Sequence, residues 1–188
     1  TDSLAIALDN TAPTVSFSPA NGEARVSRSA NLTLEFSESV RKADATALTS
    51  SNIDDFIVLR EVNASGTVVA FDATISGTTV TIDPSSILSN GTDIYVAVTS
   101  GLEDQSDNAL AAANATFTTA DVIAPVVTSV SVPTNGSYIT GNTLSFTVNT
   151  SENVTVTGSP QIALMIGSTV RQATYASGSG SSALMFSY

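Results

Sequence analysis

The chain repeats itself, and that repetition limits the fold more than any other feature. Residues 12–40 read APTVSFSPANGEARVSRSANLTLEFSESV, and residues 124–154 read APVVTSVSVPTNGSYITGNTLSFTVNTSENV. Ala12-Pro13 matches Ala124-Pro125 at an offset of 112. After a two-residue insertion the offset settles at 114, pairing Pro19 with Pro133, Asn21-Gly22 with Asn135-Gly136, Ser37-Glu38 with Ser151-Glu152 and Val40 with Val154. Self-similarity at a fixed period marks an array of like units. In 188 residues such a period fits one whole unit and part of a second. The reading is residues 1–10 as the last strand of a preceding module plus linker, 11–121 as a complete domain, and 122–188 as a second domain lacking its final two strands.

Each copy has the grammar of short strands separated by turns. Val15-Ser16-Phe17 alternates, Pro-x-Asn-Gly supplies a turn, and Leu32-Thr33-Leu34-Glu35-Phe36 alternates again. Further strands are expected at Phe56 to Val62, Val68 to Ile75, Val80 to Ile82, Ile94 to Val98 and Ala115 to Thr119. Only Ala43 to Ser50 and Asp83 to Leu88 could hold a helical turn. The expected core is Phe17, Leu32, Leu34, Phe36, Ile57, Leu59, Ile75, Val80, Ile82, Tyr95, Val98 and Phe117. In the second copy, Ala173 to Gly178 parallels Ala73 to Gly77, and Ala183 to Tyr188 takes the place of Val80 to Ile82. About seven strands in about 110 residues is an all-β, Greek-key, immunoglobulin-like sandwich.

Composition supports strands and removes several chemistries. There are 28 Ser and 26 Thr, while charged residues are only 12%. That β-branched, hydroxyl-rich mix suits strands and turns. With no His and no Cys, imidazole triads, thiolate nucleophiles, disulfides and structural zinc have no residues to use. Seventeen acids against six bases give a net charge of −11. Nucleic acid and anionic membrane, which need a basic face, are therefore poor partners, whereas divalent cations are good ones. No stretch approaches the ~20 apolar residues of a membrane span.

The frame AP-x-V, SPANG, LTLEFSESV and the closing SGLEDQSDNALAAANATFTTAD closely resembles bacterial Ig-like domains of large surface proteins. The second copy, from Ser151 to Tyr188, resembles a related module of tandem bacterial adhesin arrays. What the resemblance implies is a non-enzymatic extender on a bacterial cell surface or in a secreted adhesin, with neighbouring Ig-like modules as partners. The alternative is a sandwich that binds a glycan or a protein through its loops.

In an Ig-like sandwich the linker, the B–C loop and the F–G loop gather at one pole. Here they carry Asp9, Glu38, and Asp104 with Asp107, and the second copy offers Asp121 and Glu152 at the equivalent place. Asn21, Glu23 and Asp93 could join from the far end of the first domain. Oxygen-rich clusters suit Ca²⁺, which takes 6–8 oxygen ligands; the same acids also suit solvated loops and turn caps. Asp54-Asp55 and Glu103-Asp104 are carboxylate pairs without an aromatic platform for sugar, which argues against a glycosidase. Tyr95 is expected inside; Tyr138, Tyr175 and Tyr188 are the remaining candidates for glycan stacking. Thr-x-Thr runs at 79–81 and 155–157 read as ordinary strands. Seven Asn-x-Ser/Thr sequons, starting at Asn31, Asn63, Asn90, Asn114, Asn135, Asn149 and Asn153, reflect composition. Lys42, the sole lysine, reads as solvated and not as an isopeptide donor. Finally, Leu4, Ile6 and Leu8 alternate, so residues 1–8 are expected to add as a strand to an open sheet edge of another copy.

Overall fold

Fourteen strands and one 3-10 turn organise the described residues, 8–188, of this computed structural model. The expected strand at residues 1–8 lies outside the described residues apart from Leu8. The chain divides into two units between Val122 and Ile123.

In the first unit, β1 (Val15–Ser18), β2 (Leu32–Phe36), β6 (Thr79–Pro84) and β5 (Phe71–Ser76) form one antiparallel sheet in the order β1-β2-β6-β5. β4 (Ile57–Glu61), β7 (Asp93–Val98) and β9 (Ala113–Thr118) form a second in the order β4-β7-β9. β3 (Arg41–Lys42) and β8 (Leu102–Glu103) pair separately. Strand side chains alternate between faces, so one apolar set per strand meets the other sheet. Leu32, Leu34, Phe36, Val80 and Ile82 face Leu59, Ile94, Val96, Val98, Ala115 and Phe117, all buried. Phe17 and Ile75 pack on this core at its half-buried margin.

Tyr95 corrects the expected core. Residues 95 and 98 are an odd number apart and cannot share a face of one strand. The phase that buries Ile94, Val96 and Val98 puts Tyr95 on the outer face, half-buried. The helical turn also falls elsewhere, at Ile53–Phe56. In the Ala43–Ser50 segment the Asp44 carboxylate takes the Thr46 N–H (2.9 Å), and further on Thr49 N–H donates to the Asn52 side chain (2.8 Å). Such local side-chain bonds compete with helix. Residues 83–84 instead complete β6. After β4 the chain turns sharply: Val62 takes φ 69°, and a Cβ on Gly66 would lie 1.6 Å from the Glu61 carbonyl oxygen. Only glycine fits there.

The segment before β2 runs parallel to the exit of the unit. Gly22 N–H donates to Thr116 O (2.7 Å), Thr118 N–H to Glu23 O (2.8 Å), Val26 N–H to Thr118 O (3.1 Å) and Ala120 N–H to Val26 O (2.8 Å). Thr119 sits among them, 2% exposed. Its hydroxyl accepts from Thr92 N–H (2.9 Å) and donates to Ser89 O (2.7 Å).

The second unit is a single antiparallel sheet of β10 (Val127–Ser131), β11 (Ser145–Val154), β12 (Gln161–Ile166), β13 (Thr169–Ser177) and β14 (Ser181–Ser187), ordered β10-β11-β14-β13-β12. Its first four strands repeat the order β1-β2-β6-β5. Even the edge contact recurs. Thr14 N–H binds Ser37 Oγ (2.9 Å) while Ser37 N–H binds Thr14 O (2.9 Å); Val126 N–H binds Ser151 Oγ (3.0 Å) while Ser151 N–H binds Val126 O (2.8 Å). β12 differs from its counterpart β4. It folds back on β13 through Gly167-Ser168, with Gly167 at φ 62°, and so stays in the sheet instead of opening a second layer. Its buried cluster is small: Ala173, Leu184 and Phe186, with Phe146, Val148, Val154, Val156, Ile162, Leu164 and Tyr175 half-buried around them.

Candidate functional site

Two loops of the first unit converge on the segment that enters it. The reciprocal Thr14–Ser37 bonds hold the loop after β2 against that segment, which places Glu38 beside it. The loop after β8 is built around one carboxylate. Asp104 Oδ1 accepts the N–H groups of Ser106 (2.7 Å) and Asn108 (2.9 Å), and Oδ2 accepts from Asn108 Nδ2 (2.8 Å). Asp104 N–H returns to Asn108 O (3.0 Å), and Leu110 N–H to Leu102 O (2.8 Å). The spacing Leu-x-Asp-x-x-x-Asn-x-Leu is thereby explained: two buried leucines anchor a loop whose Asp and Asn satisfy its turns. Asn108 Nδ2 also donates to the carbonyl of Asp9 (3.1 Å), tying the entry segment to this loop.

One carboxylate oxygen from each of Asp9, Glu38 and Asp104 lies within 4.8 Å of the others. Asp104 is 1% exposed, Glu38 half-buried and Asp9 exposed. Their electrostatics differ accordingly. Burial, then the charges of Asp104 and Asp9, pushes the Glu38 carboxyl above its usual range. The Asn108 amide first, with the Asn108 and Ser106 N–H groups and Arg41, holds Asp104 below it. A cation here would relieve the repulsion on Glu38, and three carboxylate oxygens are half or fewer of those Ca²⁺ takes.

The remaining expected ligands go elsewhere. Asp107, at φ 68°, pairs with Arg41, whose Nε also reaches Glu103 Oε1 at 3.0 Å. Asp121 accepts from Asn90 Nδ2, while Asn90 Oδ1 takes the Val122 N–H at 2.8 Å. Glu152 lies in β11 of the second unit. Asn21, Glu23 and Asp93 hold Thr116 N–H, Ala20 N–H and the Thr118 hydroxyl respectively. Of the carboxylate pairs, Asp54 binds Ala73 N–H (3.1 Å) and Glu103 binds Arg41. Lys42 Nζ lies 3.3 Å from Asp44. The sequence reading missed Asn108 as the link to the linker and Arg41 as the counter-charge. The Asp-x-x-x-Asn spacing pointed to the first. The second is a tertiary pairing with no local signal.

Comparison with known families decides the larger question. The model of the bacterial Ig-like domain matches residues 9–119. The chain belongs to the bacterial Ig-like domain family. The matched span of this Ig-like protein opens at Asp9, and both the acid cluster and the parallel pairing of residues 22–26 with 116–120 fall within or beside it. No curated protein matches. Among solved structures, the N-terminal part of the bacterial S-layer protein SbsC is similar over 94% of this chain and 44% of that one, with 16% identity and a TM-score of 0.40. Mycobacterium tuberculosis L,D-transpeptidase 1 is similar over 87% of this chain and 74% of that one, with 14% identity and a TM-score of 0.34. The chain thus spans less than half the length of the S-layer structure it matches.

Proposed function

We propose that this chain is a non-enzymatic, load-bearing extender of a bacterial cell-surface or secreted adhesin-like protein, working beside further Ig-like modules. The observation that carries the reading is the parallel pairing of residues 22–26 with 116–120. Tension on the two ends of the unit, once β1 has parted from β2, loads those four backbone hydrogen bonds together, in shear, instead of opening them one at a time. Family membership and the repeated edge contact support the same role. Calcium is the ion whose chemistry suits Asp9, Glu38 and Asp104; bound there it would hold the entry segment to two loops of the sandwich.

Calorimetry of the chain in calcium and in chelator tests the ion. Calcium should raise the melting temperature of the wild type, since binding only the native state stabilises it, and should leave Glu38→Gln unmoved. Superimposed wild-type melts remove the ion from the account. The other reading, glycan or protein binding, draws on Tyr95, which lines a groove of about 400 Å³ with Val58, Arg60, Ala97 and Asn114 on the outer face of β4-β7-β9. A glycan array separates the two: the extender gives no specific binding, whereas specific binding lost in Tyr95→Ala favours the alternative.

A further inference from the structure

The outer edge of β5 and the matching edge of β13 are closed in two different ways. The register fixes which residues correspond. Ala73 lies beside Ile82 and Ile82 beside Leu32; Tyr175 lies beside Phe186 and Phe186 beside Phe146. Ala73 and Tyr175 therefore hold the same place. On the second unit's edge sits a strand. β12 pairs with β13 over six residues, from Gln161↔Thr174 to Ile166↔Thr169, and Pro160 O takes the Tyr175 N–H at 3.2 Å. In the first unit β4 follows that path only in part. Leu59 O takes the Val69 N–H (3.0 Å) and Arg60 pairs with Val68, as Leu164 pairs with Arg171 and Met165 with Val170. Nearer its start β4 lies with β7 instead, and among the described residues no strand pairs with the outer side of β5.

Side chains take the strand's place there. Asp54 Oδ1, in the 3-10 turn, accepts the Ala73 N–H (3.1 Å), the group equivalent to the Tyr175 N–H. Ser50 Oγ accepts the Ile75 N–H (3.0 Å). Backbone groups alternate between the two sides of a strand, so these are successive outward donors of β5, while Thr74 between them faces β6. Ile53, 0% exposed in the core, anchors the turn. Without these two acceptors β5 would be an inviting edge. It is six residues long, Phe71, Ala73 and Ile75 alternate toward the core, and Asp72 is its single charge. Such an edge is a template for another chain segment. An incoming strand would bring carbonyl oxygens to the same N–H groups. The Asp54 carboxylate already occupies one of them, and its charge repels such oxygens.

We infer that Ser50 and Asp54 form a side-chain strap that holds the β5 edge shut against strand addition. The edge beneath the strap fits an antiparallel, apolar segment of the β12 kind, because the equivalent edge of β13 takes β12 itself.

NMR of the 188-residue chain, read at the Ala73 and Ile75 amides, tests this. In wild type both should exchange slowly with solvent. Asp54→Ala should speed exchange at Ala73 by roughly 10–100-fold and leave Thr74 protected, while Asp54→Asn, which keeps an accepting oxygen, should change little. A synthetic peptide of residues 159–167, with two lysines added for solubility, is then titrated in. The Ser50→Ala/Asp54→Ala chain should show saturable shifts at Ala73 and Ile75, and wild type none. The same peptide carrying Leu164→Pro should shift neither chain, since proline cannot sustain the pairing. Ser50→Ala alone lies outside the 3-10 turn and opens only Ile75; it carries the test if the double variant loses protection at Thr74. Three results would overturn the inference: wild-type amides exchanging like an unstructured peptide, equal shifts in wild type or with the proline peptide, or no shifts in an opened chain whose Thr74 stays protected.

Discussion

Replacing Thr119 with Val keeps the shape of the side chain and removes only its hydroxyl. That hydroxyl, 2% exposed as part of Thr119, joins the Thr92 N–H to the Ser89 carbonyl. Valine leaves a half-buried donor and a half-buried acceptor without this partner, a cost of about 1–3 kcal/mol. At roughly 4 °C per kcal/mol for a domain of about this size, the first unit should melt roughly 4–12 °C lower. Serine is the control: it keeps both bonds and loses one methyl, about 0.8 kcal/mol. Calorimetry of wild type, Thr119→Ser and Thr119→Val should therefore rank them in that order. Serine melting below valine would mean that methyl packing, not the hydroxyl, closes the exit of the unit.

Val62 holds a β-branched side chain at φ 69°, a strain of about 1–3 kcal/mol; Val62→Asn, which tolerates that region, should raise the urea midpoint by an amount equivalent to ~1 kcal/mol, and a lowered midpoint would refute the strain. Asp44 is held down from 3.8 to about 2, chiefly by Thr46 and then by Lys42. A depressed carboxylate contributes stability above its unfolded value that disappears as pH falls through the folded one. Asp44→Asn should thus flatten the melting-temperature profile between pH 3.8 and about 2. An unchanged slope there refutes the contribution. Glu38 has the opposite sign: its raised carboxyl disfavours the folded state once ionised, so Glu38→Gln should raise the melting temperature at neutral pH in chelator, and a lower one would contradict the repulsion.

The sandwich was largely legible because alternation in Leu32 to Phe36 and Val80 to Ile82 is a local property. Tyr95 was misplaced because one strand's pattern leaves its phase open until the neighbours are known; Ala97 and Val98 are both buried, which blurs the alternation. The in-plane position of β12 depends on a two-residue turn at Gly167-Ser168, and sequence similarity to the first copy points away from it. The acid cluster was half legible. Loop order brought Asp9, Glu38 and Asp104 together, but Arg41 drew Asp107 aside through a pairing 66 residues apart, which no local pattern reveals.

The central claim is that the first unit resists tension through the parallel pairing of residues 22–26, which follow β1, with its exit at residues 116–120. Pulling the intact chain by its two ends in a single-molecule force experiment tests it directly. The account predicts one discrete rupture for this unit, releasing roughly 350 Å at ~3.4 Å per residue. It also predicts a clear drop in rupture force for Ala120→Pro, which deletes the N–H donated to Val26 O at 2.8 Å. Gradual lengthening without a discrete event, or an Ala120→Pro chain that ruptures at the wild-type force, would contradict it.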